Sequence, residues 1–166
     1  MDLPTRLSFQ RRTIGLLALA AGLLPSLAFA TLGGTETSIE TDRVAMSATA
    51  GANNAGVGYT VRSFTLPSTT VVREYLSSST GLVFGVAWEG PAMPDLKQLL
   101  GEKHFDSIDS SARSRNREGR RGPMELRPTG DSSGLVFDST GHMRAFAGRA
   151  YLTPQLPNGV DTDAIR

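Results

Sequence analysis

The chain of 166 residues has no cysteine, two histidines and a single tryptophan, and aromatic residues make up 7% of it. The missing cysteine excludes disulfides, thiolate metal sites and a cysteine nucleophile together. His104 and His142 are too far apart in sequence to form an i, i+4 ligand pair, and neither has a carboxylate at a metal-ligand spacing. No cofactor-binding motif is present, so no cofactor is expected. Charge of either sign is not in excess either. Removing Arg6, Arg11, Arg12 and Asp2 of the N-terminal segment from seventeen basic and sixteen acidic residues leaves fourteen against fifteen. A near-neutral body has no general pull toward nucleic acid or anionic lipid, and no specific nucleic-acid partner is expected.

Long apolar runs are confined to one place. Arg11-Arg12 precede the run Thr13 to Ala30, whose core is Ile14 to Leu24, followed by Pro25 and by Ala28-Phe29-Ala30. A positive start, a short apolar centre and small residues before Thr31 form the pattern of a cleavable export signal over residues 1–30, cut between Ala30 and Thr31 with Ala28 and Ala30 read by the peptidase. The apolar centre is shorter than the ~20 residues of a spanning helix, so no transmembrane span is expected after cleavage. Arg11-Arg12 also raises the twin-arginine route, although Gln10 before the pair fits it loosely and the general secretory route fits better. The expected location is the periplasm or exterior of a Gram-negative bacterium, where disulfides are permitted but not required.

The remaining 136 residues suit one domain with its own core. Thr37-Ser38-Ile39-Glu40 matches a capping box and predicts a helix over about 38–47. Ala48 to Gly58, rich in Gly, Ala and Asn, reads as a mobile loop. Three strands follow in the runs from Tyr59 to Leu66, Thr70 to Leu76 and Leu82 to Trp88, an antiparallel meander. In the third run Leu82, Phe84, Val86 and Trp88 are expected on one face, and Val83, Gly85 and Ala87 on the other, where the small residues invite a helix to pack. Pro94 and Asp95 open that helix, which carries Leu96, Leu99 and Leu100.

Strand patterns return at Met124 to Arg127, Gly134 to Asp138 and His142 to Leu152, the last two joined by a turn at Ser139-Thr140-Gly141. The expected fold is α+β: an antiparallel sheet of five or six strands, made of a three-strand meander and a C-terminal hairpin, with one main helix on a face. The domain covers 31–153, with a flexible arginine-rich segment at about 109–122 and a surface tail at 154–166.

Several segments resemble one bacterial family. Thr31-Leu32-Gly33-Gly34, Val72-Arg73-Glu74-Tyr75, Gly81 to Trp88, Gly90-Pro91, Pro94-Asp95-Leu96, Leu99-Leu100-Gly101 and His142 to Tyr151 are similar to the exported family known as domain of unknown function 2844. The resemblance implies export and a single domain, and brings no catalytic residue with it.

Candidate chemistry in the sequence is sparse. Gly130-Asp131-Ser132-Ser133-Gly134 echoes a serine-protease nucleophile loop, with His142 ten residues beyond Ser132, but Ser133 stands where a glycine is required. A polar turn accounts for the same residues. Arg113, Arg115, Arg117, Arg120 and Arg121 form the strongest charge cluster, a weak candidate patch for an anionic partner such as a polysaccharide, without the aromatics that stack on bases or sugars. Arg73, Glu74 and Arg149 are candidates for cross-strand ion pairs, and Trp88 for the core. The reading that results is a non-enzymatic exported accessory domain binding an envelope protein or polysaccharide through its sheet face or an open strand edge. Its alternatives are an exported hydrolase using Ser132 and His142, or a structural cell-surface protein. Oligomeric state is not legible.

Overall fold

The computed structural model describes residues 32–120, 122–128 and 132–166. The signal segment with Ala28, Ala30 and Thr31, and also Arg121, lie outside them. Among the described residues a seven-stranded, wholly antiparallel sheet carries three α-helices, which bears out the α+β expectation and adds a strand. The elements are α1 (Glu36–Ala45), β1 (Thr49–Gly56), β2 (Tyr59–Thr65), β3 (Val71–Ser77), β4 (Val83–Gly90), α2 (Leu96–Leu100), α3 (Glu102–Arg117), β5 (Met124–Leu126), β6 (Leu135–His142) and β7 (Ala145–Leu152). Spatial order is β1-β2-β3-β4-β7-β6-β5. After the four-strand meander the chain crosses to the far edge through α2 and α3, then returns strand by strand until β7 pairs with β4.

The added strand is the segment expected to be a mobile loop. Its residues bury nothing, and periodicity therefore gave no signal, but β1 needs only its backbone ladder to β2. The Tyr59 ring lies over Gly56, where a Cβ would come within 2.3 Å of it.

Helix boundaries also shift. The first helix begins at Glu36, because Thr35 is bridged to Leu82 and serves as N-cap; Thr37 and Glu40 form no capping box, and Glu40 bonds Arg43 instead. Asp95 caps α2 by accepting from the Gln98 amide at 3.0 Å. Gly101, at φ 78°, breaks α2 from α3. The segment expected to be flexible is helical through Arg117, anchored by buried Ile108. Strand β6 runs through Ser139-Thr140-Gly141 to His142, and the hairpin turn is Met143-Arg144, with Arg144 at φ 64°.

A bulge decides how the faces are filled. Tyr75 pairs with Gly85 and Leu76 with Val83, which leaves Phe84 as an extra residue in β4. Alternation is thereby reset, so Phe84 does not share a face with Val86 and Trp88, as simple period-two reading expects. Val83, Val86 and Trp88 join the core under the helices with Phe64, Val72, Leu99, Leu100 and Phe137, whereas Phe84 and Ala87 join a second core with Tyr75, Val136 and Tyr151. Trp88 is 1% exposed and packs on Phe137 at 5.7 Å between centroids, as expected of a core residue.

The second face is closed by the C-terminal segment rather than by a helix. Ile165 is fully buried there, and a Cβ at Gly85 would lie 3.2 Å from its Cδ1. The Tyr75 hydroxyl donates to the Arg166 carbonyl at 2.9 Å and is met by the Arg166 amide at 3.0 Å. The expected surface tail is thus a structural lid. Ile165→Ala should cost about 2–5 kcal/mol of stability, the range for deleting a buried isoleucine side chain; an unchanged urea midpoint would show that the lid contributes nothing.

Candidate functional site

Three features of the described residues stand apart from ordinary packing: an open strand edge, a buried pair of acids and a cleft beside the C-terminal residues. The edge is β1. All eight of its residues, Thr49 to Gly56, are exposed, and none is charged or proline. Its ladder to β2 occupies one side, and β1 ends the sheet on the other. Natural sheets protect such edges with charges, prolines, brevity or bulges, and of these β1 shows only a register shift between Ala50 and Asn53. The opposite edge is protected: β5 has three residues, lies between Pro123 and Pro128, and carries Glu125 ion-paired to Arg127 at 2.8 Å. Val57, at the tip of the β1–β2 hairpin, is 92% exposed.

The acids are Asp42 and Glu74. Asp42 falls on the inner stripe of α1 with Ser38 and Ile39. Glu74 falls on β3 between Val72 and Leu76, whose side faces the helices. They are 1% and 3% exposed. Gln98 donates from Nε2 to Asp42 Oδ1 at 2.6 Å, and the two carboxyl groups bond each other. Burial, opposed in part by the Gln98 and Glu74 hydrogen bonds, pushes Asp42 up to about 6, with Asp95 nearby adding to the rise. Burial and the neighbouring Asp42 hold Glu74 well above the usual carboxylate range. Two carboxylates this close and this dry cannot both be charged at low cost, so the pair holds on to protons.

The cleft, about 540 Å³, lies beside the chain's last residues, with Trp88, Asp138, Gly148, Arg149 and Arg166 in its lining. Arg149 donates from Nε to Asp138 Oδ2 at 2.9 Å and from Nη1 to the Thr162 carbonyl at 2.8 Å. Trp88 Nε1 and Asp138 Oδ1 have no hydrogen-bond partner among the described residues. Gly148 makes room for Trp88, since a Cβ there would lie 2.3 Å from Cζ2.

Residues singled out in the sequence are dispersed. Ser132 lies in the turn before β6 and His142 ends that strand, whose eight extended residues span roughly 23 Å, so the hydrolase pair is not brought together. Arg113 pairs with Asp109 and Arg120 with Glu118, while Arg115 donates to the Pro123 carbonyl at 2.8 Å. With Arg117 they belong to α3 and its C-terminal turn, several of them already engaged locally. Arg73 pairs with Glu89 at 4.0 Å and Arg149 with Asp138, whereas Glu74 turns inward to Asp42. Among the described residues no cluster of three or more His, Asp or Glu could hold a metal, and no helix is long and apolar enough to cross a membrane.

The family model described as "Protein of unknown function (DUF2844)" matches residues 28–165. The chain belongs to that family. No curated protein and no solved structure matches it.

Of the acid pair of this DUF2844 protein, sequence reading assigned Glu74 to a cross-strand ion pair and did not single out Asp42. The pair's signal was present: Glu74 shares a face with Val72 and Leu76, and Asp42 lies three residues after Ile39. A group that keeps its proton longer folded than unfolded stabilises the fold at low pH, and that stabilisation fades as pH rises toward the folded value. Stability should therefore fall from about pH 4 through 6, by at most about 3 kcal/mol for the shift of Asp42 from 3.8 to about 6, and further as Glu74 ionises. Asp42→Asn should flatten that slope and be the more stable protein at pH 8; denaturant titrations at pH 4, 6 and 8 measure it.

Proposed function

We propose that this protein is an exported, non-catalytic binding domain that takes up an extended strand of an envelope partner protein along the open edge of β1. The observation that carries the reading is an eight-residue edge strand without a charge or proline, in a sheet whose other edge is short and charged. Backbone N–H and C=O groups on such an edge supply affinity by strand addition, and small side chains let the incoming strand approach. Export rests on the Arg11-Arg12 segment and the small residues Ala28 and Ala30, and agrees with the lack of cysteine. In that setting the domain works in the periplasm or outside the cell.

A photoreactive residue at position 55, introduced into the protein in exporting cells, should crosslink to one envelope protein through an extended segment. Ala50→Lys with Asn53→Lys, the probe staying at position 55, should abolish the crosslink while changing stability by no more than about 0.5 kcal/mol, as surface substitutions do. Crosslinking only between two copies, seen with mixed isotope labels, would replace the partner with self-association. No crosslink above that of an exposed control position defeats the proposal.

A further inference from the structure

We propose that α1 is latched to the sheet by the protons that Asp42 and Glu74 hold between them, and that the latch sets how the β1 edge is presented. The inference rests on the strand-capture reading and names its regulation. Of the ten residues of α1 only Ser38, Ile39 and Asp42 are buried, and Val44 is 62% exposed, so its apolar grip is Ile39 with the half-buried Met46 of its C-cap. The Thr35–Leu82 bridge fixes its start, and polar tethers hold its length: Glu36 to Arg62 of β2, and Asp42 to Glu74 of β3 and Gln98 of α2. One carboxyl oxygen of Glu74, Oε1, has no hydrogen-bond partner among the described residues.

The charges around the pair do not relieve it. On α1, Arg43 is engaged by Glu40 and by the Ala48 carbonyl. On β2, Arg62 stands directly opposite Glu74 but is held by Glu36. Beyond β3, the residue across from Glu74 on β4 is Val86. From α2 come Gln98 and the cap Asp95, which adds negative charge, while Lys97 is paired with Glu102. Losing the last proton leaves two anions in a dry site. Two responses lower that energy: water enters as α1 lifts, or Arg62 leaves Glu36 for Glu74. Each loosens α1.

The movement has a short path to the binding edge. Three residues separate α1 from β1, and they are held tightly: the Ala48 amide donates to the Arg43 carbonyl at 2.8 Å, and Arg43 Nη1 donates to the Ala48 carbonyl at 2.7 Å. Mild acid thus seats α1 and fixes the start of β1, and neutral to alkaline pH frees both.

Amide hydrogen exchange read by mass spectrometry, corrected for the intrinsic effect of pH, tests the latch without any partner. Protection over residues 36–48, relative to β4, should fall at least tenfold between pH 5 and pH 8, and Glu74→Gln, which keeps a permanent donor toward Asp42, should remove the difference. Equal protection at both pH values overturns the latch, as does an unchanged pH response in Glu74→Gln. Should that variant not fold, carboxyl-carbon NMR of the native protein decides instead: both groups titrating at ordinary carboxylate values overturns the proposal. Exchange that responds to pH while crosslinking from position 55 does not would overturn the coupling to the edge and leave strand capture standing. A pH-dependent latch with no crosslink at any pH would remove strand capture, and with it the regulation proposed.

Discussion

One extra residue in β4 organises the molecule. A strand in strict alternation would place Phe84 and Trp88 on the same face, crowding the helices and leaving the other face with Val83, Gly85 and Ala87. The bulge opposite Tyr75 sends Phe84 across, where it meets Tyr75 and Tyr59 at about 6 Å between centroids. Each face then has its own aromatic anchor, and both need a cover. Helices α1 to α3 cover the Trp88 side, and a tail of fourteen residues, pinned through Ile165 and the Tyr75 hydroxyl, covers the Phe84 side. Most of β4 and the C-terminal end of β7 are consequently buried on both faces, without covalent crosslinks.

Within that arrangement the acid pair is a local conflict. Val72, Glu74 and Leu76 line the helix-facing side of β3, and an apolar residue at the middle position would pack there without desolvating a charge. A stable core alone does not call for an acid at that position, and still less for a second acid, Asp42, set against it. Conflicts of this kind, where each neighbouring choice agrees with the fold and one does not, point to function more often than to packing. A shared proton, with Gln98 donating to Asp42, makes both residues compatible with their burial, and it is the reason the pair reads as a device.

The sequence made legible whatever depends on side-chain periodicity or local chemistry. Strands β2, β3, β4 and β7 announced themselves through alternation, α2 through its proline, aspartate and leucines, and Trp88 as core. What escaped depends on partners distant in sequence. β1 has no apolar alternation because it buries no side chain, and its strand character comes from the ladder to β2. The bulge is a property of the β3–β4 register, and alternation within one strand carries no trace of it. Arg113 to Arg117 look like a solvated loop when composition is read alone, yet Ile108 and the helix begun at Glu102 carry them through another two turns. Ser132 and His142, near in sequence, are kept apart by the very strand that joins them. Glu74 was visible as a strand residue, but its inward side was read as a place for a surface ion pair.

The two edges of the sheet show different solutions to one problem. An unpaired edge exposes a row of donors and acceptors to any extended chain, so an edge left without protection carries a cost in aggregation unless it is used. Here β5 is cut to three residues, bounded by prolines and charged, while α3 leans on it through Arg115 at the Pro123 carbonyl. β1 is more than twice as long and carries no proline or charge, its one irregularity being the register shift between Ala50 and Asn53. The same chain therefore has the means to close an edge and applies most of them at one end. Its small side chains also make β1 a poor contributor to the fold's own core, so packing offers no reason to keep it long. The proposed pairing on its outer side gives that length a use, and the proposed latch places its control in α1, the helix that leads into it.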